Sequence, residues 1–112
     1  MREIVLEENA VTLAENSGWL AQKLVIAGKR GHPDQSFKKR IPLPKGMPRL
    51  AYTLLVEFKR IGESPDGNQI RRHRELREHG QEVHVIDTFD DFERLLEWAE
   101  GEIKRISDAL RR

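Results

Sequence analysis

Two acids and one lysine carry the chemistry in this sequence. Asp34 follows a glycine-rich basic turn in "GKRGHPD", and about two dozen residues later "VEFK" supplies Glu57 and Lys59. Side chains at i and i+2 on a strand point to one face, so Glu57 and Lys59 stand side by side. Their neighbours Leu54, Leu55, Val56 and Phe58 are apolar, which puts both charges at the edge of a core. Charge there is costly unless it is paired or bound. Carboxylate oxygens are hard ligands for Mg²⁺, which binds through one or two carboxylates and keeps several waters. A lysine beside such an ion can orient water and offset charge developing on a phosphoryl group. Asp34, Glu57 and Lys59 thus supply the ingredients for hydrolysing a phosphodiester. Glu7 interrupts an apolar helix face, and Gln69 opens a later helix. Each residue alone has a plainer role: a structural ion pair for Glu57 and Lys59, a turn cap for Asp34, a solvated boundary position for Glu7, an ordinary first-turn residue for Gln69. The ordered set is what points to a metal centre.

The elements that must position these groups follow from periodicity. Residues 3–16 read as a helix, with Ile4, Glu7, Ala10, Val11 and Ala14 on one face and Leu6 and Leu13 widening it. Glu8 is the rival to Glu7, but its helical neighbours are Thr12 and Glu15. Residues 19–26 read as a strand, 27–36 as a loop, and the polar 35–41 as a short strand. "PLPKGMP" is a basic loop, since three prolines remove ladder donors. Residues 52–59 form the clearest strand and Pro65-Asp66-Gly67 a turn. Residues 68–79 make a helix with Ile70, His73 and Leu76 recurring, 82–87 a strand, and 89 to about 110 a long helix entered through Thr88. The order α-β-β-β-α-β-α describes an α/β (α+β) domain with a small mixed sheet flanked by helices. The crossover through helix 68–79 makes the strands before and after it parallel.

At 112 residues, 38% of them apolar and 35% charged, the sequence suits one globular domain spanning 1–112. The absence of cysteine excludes disulfides and thiolate metal sites. No apolar run can span a bilayer, and the acidic start "MREIVLEENA" lacks a secretion pattern, so the expected location is cytoplasmic. The net charge of +1 conceals an uneven layout. Residues 20–60 hold ten basic and two acidic side chains, while the ends of the chain are acidic. A basic middle suggests a polyanionic partner.

The ordered pieces resemble a known family. "KLVIAGKRGHPD", "VEFK" and "SPDGNQIRRHRELREHGQEVHVI", with Gln69, His73, Leu76, Gly80 and Val83, resemble a VRR-type (virus-type replication–repair) nuclease domain of the PD-(D/E)xK superfamily. That resemblance implies a restriction-endonuclease-like core and a Mg²⁺- or Mn²⁺-dependent endodeoxyribonuclease. Its implied metal ligands are Asp34, Glu57 and the Phe58 backbone carbonyl. Lys59 is the implied catalytic lysine, Glu7 a further acidic site residue and Gln69 a supporting polar group. It further implies a homodimer acting on branched DNA, such as four-way junctions, in a bacterial or phage-infected cell. Lys29, Arg30, Lys38, Lys39 and Arg40 are the expected phosphate contacts. The alternative is a non-catalytic DNA-binding module built on the basic 29–49 region.

Overall fold

The computed structural model describes residues 2–26 and 30–111. Its elements are α1 (Glu3–Asn16), β1 (Leu20–Lys23), β2 (Gln35–Arg40), β3 (Ala51–Phe58), α2 (Gly67–Glu78), β4 (Val83–Ile86) and α3 (Phe89–Leu110). The sheet order is β1-β2-β3-β4, antiparallel through the first three strands and parallel between β3 and β4. This is a small α+β fold with a four-stranded mixed sheet, as the element pattern predicts. Among the described residues no helix is long and apolar enough to cross a membrane.

One apolar core joins α1 and α3 to the sheet face carrying Phe37, Leu54, Val56, Phe58 and Ile86. Phe92 of α3 meets Phe37 and Phe58 at centroid distances of 5.1 and 5.9 Å, tying the long helix to β2 and β3. Because Phe58 turns into this core, alternation sends Glu57 and Lys59 to the opposite face. On α1 the buried seam is Leu6, Ala10 and Ala14, while Ile4 is 61% exposed. The expected apolar face of α1 is therefore rotated towards Leu6. On α3, Phe92, Leu95, Leu96, Ala99 and Ile103 are all covered within the chain.

The strand at Gln35–Arg40 is polar yet lies inside the sheet, hydrogen-bonded on both sides. Its buried polar groups are satisfied: Gln35 donates to Glu7, and Ser36 Oγ accepts from Lys38. β1 ends at Lys23, short of the expected residue 26, and Val25 and Ile26 are exposed. The basic loop after β2 is pinned at its base, where Ile41 N–H donates to the Leu50 carbonyl and Ser107 Oγ donates to the Pro42 carbonyl.

Candidate functional site

The β2–β3 register assembles the acid pair. Gln35, the first residue of β2, lies opposite Val56, and Asp34 precedes it at the strand end, with its carboxyl close enough to Glu57 to bond it and oppose its charge. The Asp34 N–H donates to the Val56 carbonyl, and the Asp34 carbonyl accepts from Leu24 N–H, which fixes the backbone at this point. Asp34 Oδ2 accepts from the Phe58 N–H at 2.8 Å. Two carboxylates held this close repel each other. Here Glu57 is also only 2% exposed. Burial, and then the charge and hydrogen bond of Asp34, push the Glu57 carboxyl up to about 8, with Lys59 pulling the other way. Among the described residues Glu57 Oε1 has no hydrogen-bond partner.

Lys59 is 9% exposed, and its ammonium reaches Glu63 at 3.5 Å. A cavity of about 350 Å³ opens beside the pair, lined by Asp34, Glu7, Lys23 and Arg60 among others. Glu7 accepts from Lys23 Nζ at 2.8 Å and from Gln35 Nε2 at 2.6 Å. Burial lowers the affinity of Lys23 for its proton, but the hydrogen bond and charge of Glu7, with Asp34 and Glu57 behind it, leave the pKa raised. Glu7 rather than the exposed Glu8 makes these contacts. The structure therefore brings Glu7, Asp34, Glu57 and Lys59 to one region.

Gln69 is placed differently. Its side-chain oxygen accepts from Asp66 N–H, while its own N–H donates to Asp66 Oδ1, closing a capping box at the start of α2. In this geometry the Gln69 oxygen is committed to the helix end. Gly31 packs against the same turn: its φ is +82°, and a Cβ added there would sit 2.4 Å from the Asn68 carbonyl oxygen.

The expected phosphate contacts are scattered. Arg30 is exposed, and its carbonyl accepts from Arg72 Nε. Lys38 donates to Gln22 and Ser36. Lys39 is an internal anchor, donating to Glu100 at 2.6 Å and to the Ser17 carbonyl at 2.8 Å, with Trp19 beneath it. Arg40 is exposed and lines the basic loop with Lys45 and Arg49. At a strand rise of about 3.3 Å, Arg40 lies roughly 20 Å along β2 from Asp34. Lys29 lies outside the described residues.

Sequence reasoning did not single out Lys23, Gln35 or Arg60, and it named His73 only as a recurring position of the helix over 68–79 and of the family motif. The sequence signal for Lys23 and Gln35 was their place at strand ends near Asp34. His73 sits one helical turn after Gln69 and is 2% exposed, with Nε2 3.5 Å from Glu57 Oε1.

Among the described residues no three His, Cys, Asp or Glu side chains converge as a metal cluster. The site offers two carboxylates, Asp34 and Glu57, with the charge of Asp34 opposing ionisation of Glu57. Two carboxylates are enough for Mg²⁺ or Mn²⁺, which fill the remaining positions with water and phosphate oxygens. The mutual repulsion of the pair is what a divalent cation would relieve, so the residues fit the ion.

No protein-family model matches the chain. It is 34% identical over 90 residues to "Putative nuclease p44" of Acyrthosiphon pisum secondary endosymbiont phage 1, covering 80% of this chain and 87% of that protein. Among solved structures it is similar to a "VRR_NUC domain", with a TM-score of 0.67 and 31% identity, covering 85% of this chain and 94% of the other.

Proposed function

The chain belongs to the VRR-type nuclease family, and from that premise we propose that it is a Mg²⁺- or Mn²⁺-dependent endonuclease cutting DNA phosphodiester bonds. The observation that carries this reading is the contact between the Asp34 and Glu57 carboxyls, with Lys59 close enough to act on Glu57 as well. Asp34, Glu57 and the Phe58 carbonyl would hold the ion. When bound, a divalent ion polarises the phosphoryl group and lowers the pKa of the attacking water. The Lys59 ammonium orients that water and offsets charge on the scissile phosphate. Its present partner, Glu63, is exposed and 3.5 Å away, a contact that a phosphate can displace. Glu7 acts through Lys23 and Gln35, holding the mouth of the cavity. Gln69 fixes the start of α2 beside the site.

Substrate contacts come from Lys29, Arg30, Lys38 and Arg40, with Lys45 and Arg49 extending the basic loop, while Lys39 serves mainly as the internal anchor. The span from the acid pair to Arg40 corresponds to roughly six nucleotides at about 3.4 Å each. A branched substrate such as a four-way junction, handled by a homodimer, is the reading that the family resemblance carries over. Exposed Leu20, Val25 and Ile26 at the β1 edge support a second copy docking there. The whole reading fits the cytoplasm of a bacterial or phage-infected cell.

The test is a cleavage panel of linear duplex, single strand, flap and four-way junction, each with Mg²⁺, Mn²⁺ or chelator, run beside Lys59→Met. The expected result is metal-dependent cutting, preferentially of the junction, lost by at least about 100-fold in Lys59→Met with DNA binding retained. Cutting by neither protein on any substrate leaves the DNA-binding module as the function.

A further inference from the structure

The imidazole of His73 is an anomaly for a packing residue. It is the single buried side chain of α2, at 2% exposure, and among the described residues its Nε2 has no hydrogen-bond partner. A buried polar nitrogen left unpaired is destabilising, and an apolar side chain would suit the same space better. The atom it faces is equally anomalous: Glu57 Oε1, also buried and also without a partner, 3.5 Å away. At that distance the two are in contact but not bonded. A movement of roughly 0.5 Å would join them and satisfy both.

Ligand chemistry indicates when that happens. A carboxylate gripping a cation is ionised and can only accept hydrogen bonds. Its outer oxygen therefore calls for an N–H donor, and such donors orient metal-binding carboxylates. The helix is built to hold the ring in place. The Asp66–Gln69 capping box fixes the first turn, and Arg77 Nη2 donates to the Val83 carbonyl at 2.8 Å one turn beyond His73. Gly31 lets the loop leading to Asp34 lie against the same first turn. One short helix thus braces both acids, by a ring at Glu57 and by backbone contact on the approach to Asp34.

We propose that His73 is a positioning residue for the metal centre, its Nε2–H donating to Glu57 Oε1 and setting the rotation of that carboxylate towards the cation. This assignment rests on the metal-centre reading above. It concerns binding of the ion and therefore has a readout that does not depend on cleavage.

The experiment is calorimetric titration of Mn²⁺ into the DNA-free protein, comparing wild type, His73→Leu, His73→Gln and Glu57→Gln. Wild type should bind one ion and Glu57→Gln should not. His73→Leu should bind 10–100-fold more weakly, the range for losing such an outer partner. His73→Gln, which presents a donor at similar reach, should recover most of the loss. Thermal stability of metal-free His73→Leu should equal or exceed that of wild type, separating positioning from packing. Should His73→Leu bind Mn²⁺ as wild type does, the assignment is overturned while the metal centre stands. Absence of binding by wild type itself would overturn both. Should the leucine variant not fold, ¹⁵N NMR of the wild-type imidazole decides the matter. The Mg²⁺-loaded protein must show the proton on Nε2, and a proton on Nδ1 alone overturns the proposal.

Discussion

Replacing Glu57 by Gln tests the acid pair without any substrate. Glu57 titrates near 8 in the fold against 4.5 for an ordinary glutamate. At about 1.36 kcal/mol per unit, the displacement represents on the order of 5 kcal/mol. The folded protein holds its proton more tightly than the unfolded chain, so stability is full below pH 4.5 and declines as pH rises towards 8. Between pH 6.5 and 8.5 the loss is about 2 kcal/mol, which for a domain of this size is a Tm drop of roughly 8 °C. His73 has a lowered pKa, caused first by burial and then by Arg77 and Lys59. Its linkage runs the other way, with stability rising with pH, and it is complete by about 6.5, the ordinary value, so it does not enter this window. Glu57→Gln removes the titrating group and keeps the shape. Thermal melts in chelator should therefore show wild type losing Tm across pH 6.5–8.5 and the variant losing almost none. Mg²⁺ should restore wild type at pH 8.5, by about 2.7 kcal/mol at a hundred times its Kd, and leave the variant unchanged. Parallel pH profiles for the two proteins in chelator would refute the reasoning, because Glu57 would then not be held protonated by burial and Asp34.

Gly31→Ala should destabilise the protein by at least about 2 kcal/mol in denaturant melts, since it combines a positive φ with a Cβ overlapping the α2 backbone. Gln69→Glu preserves a capping-box acceptor and should leave the Tm within about 2 °C of wild type. A large loss of cleavage in that variant at unchanged Tm would assign the carboxamide a role at the cavity. Replacing Arg40, Lys45 and Arg49 together by Gln should flatten the salt dependence of DNA affinity by up to roughly 0.9 in log–log slope per lost phosphate contact. Cleavage by that variant at saturating DNA should remain within a few-fold of wild type.

The element order was legible because the apolar spacing of α3 and β3 is strong and because prolines and glycines mark the turns. The rotation of α1 was not. Ile4 and Leu6 differ little in hydrophobicity, and only the assembled core decides that Leu6 is the one covered. The polar β2 was the weakest expectation, since its burial depends on Glu7 and Lys38 supplying partners from elsewhere in the chain and strand. The placement of Glu57 on the face away from Phe58 was legible because strand alternation is a local rule. The convergence of His73 on Glu57 was not, because it depends on how α2 crosses the sheet, which no spacing encodes. Lys39 illustrates the converse: in a run of basic residues its charge reads as surface, yet Trp19 and Glu100 draw it inward.

α2 has one buried side chain, and that one is an imidazole; Ile70 is 49% exposed. The helix is therefore held by its cap, by Arg77 and by the Arg72 contact to the Arg30 carbonyl more than by oil. Polar attachments of this kind open at a lower free energy than an aromatic centre such as that of Phe37, Phe58 and Phe92. A local opening of α2 with the rest of the protein intact would carry the His73 ring from Glu57 and the Asn68 backbone from Gly31. On the proposed reading, assembly of the acid site would then be a separate equilibrium laid over folding, open to bias by whatever docks between α2 and the sheet.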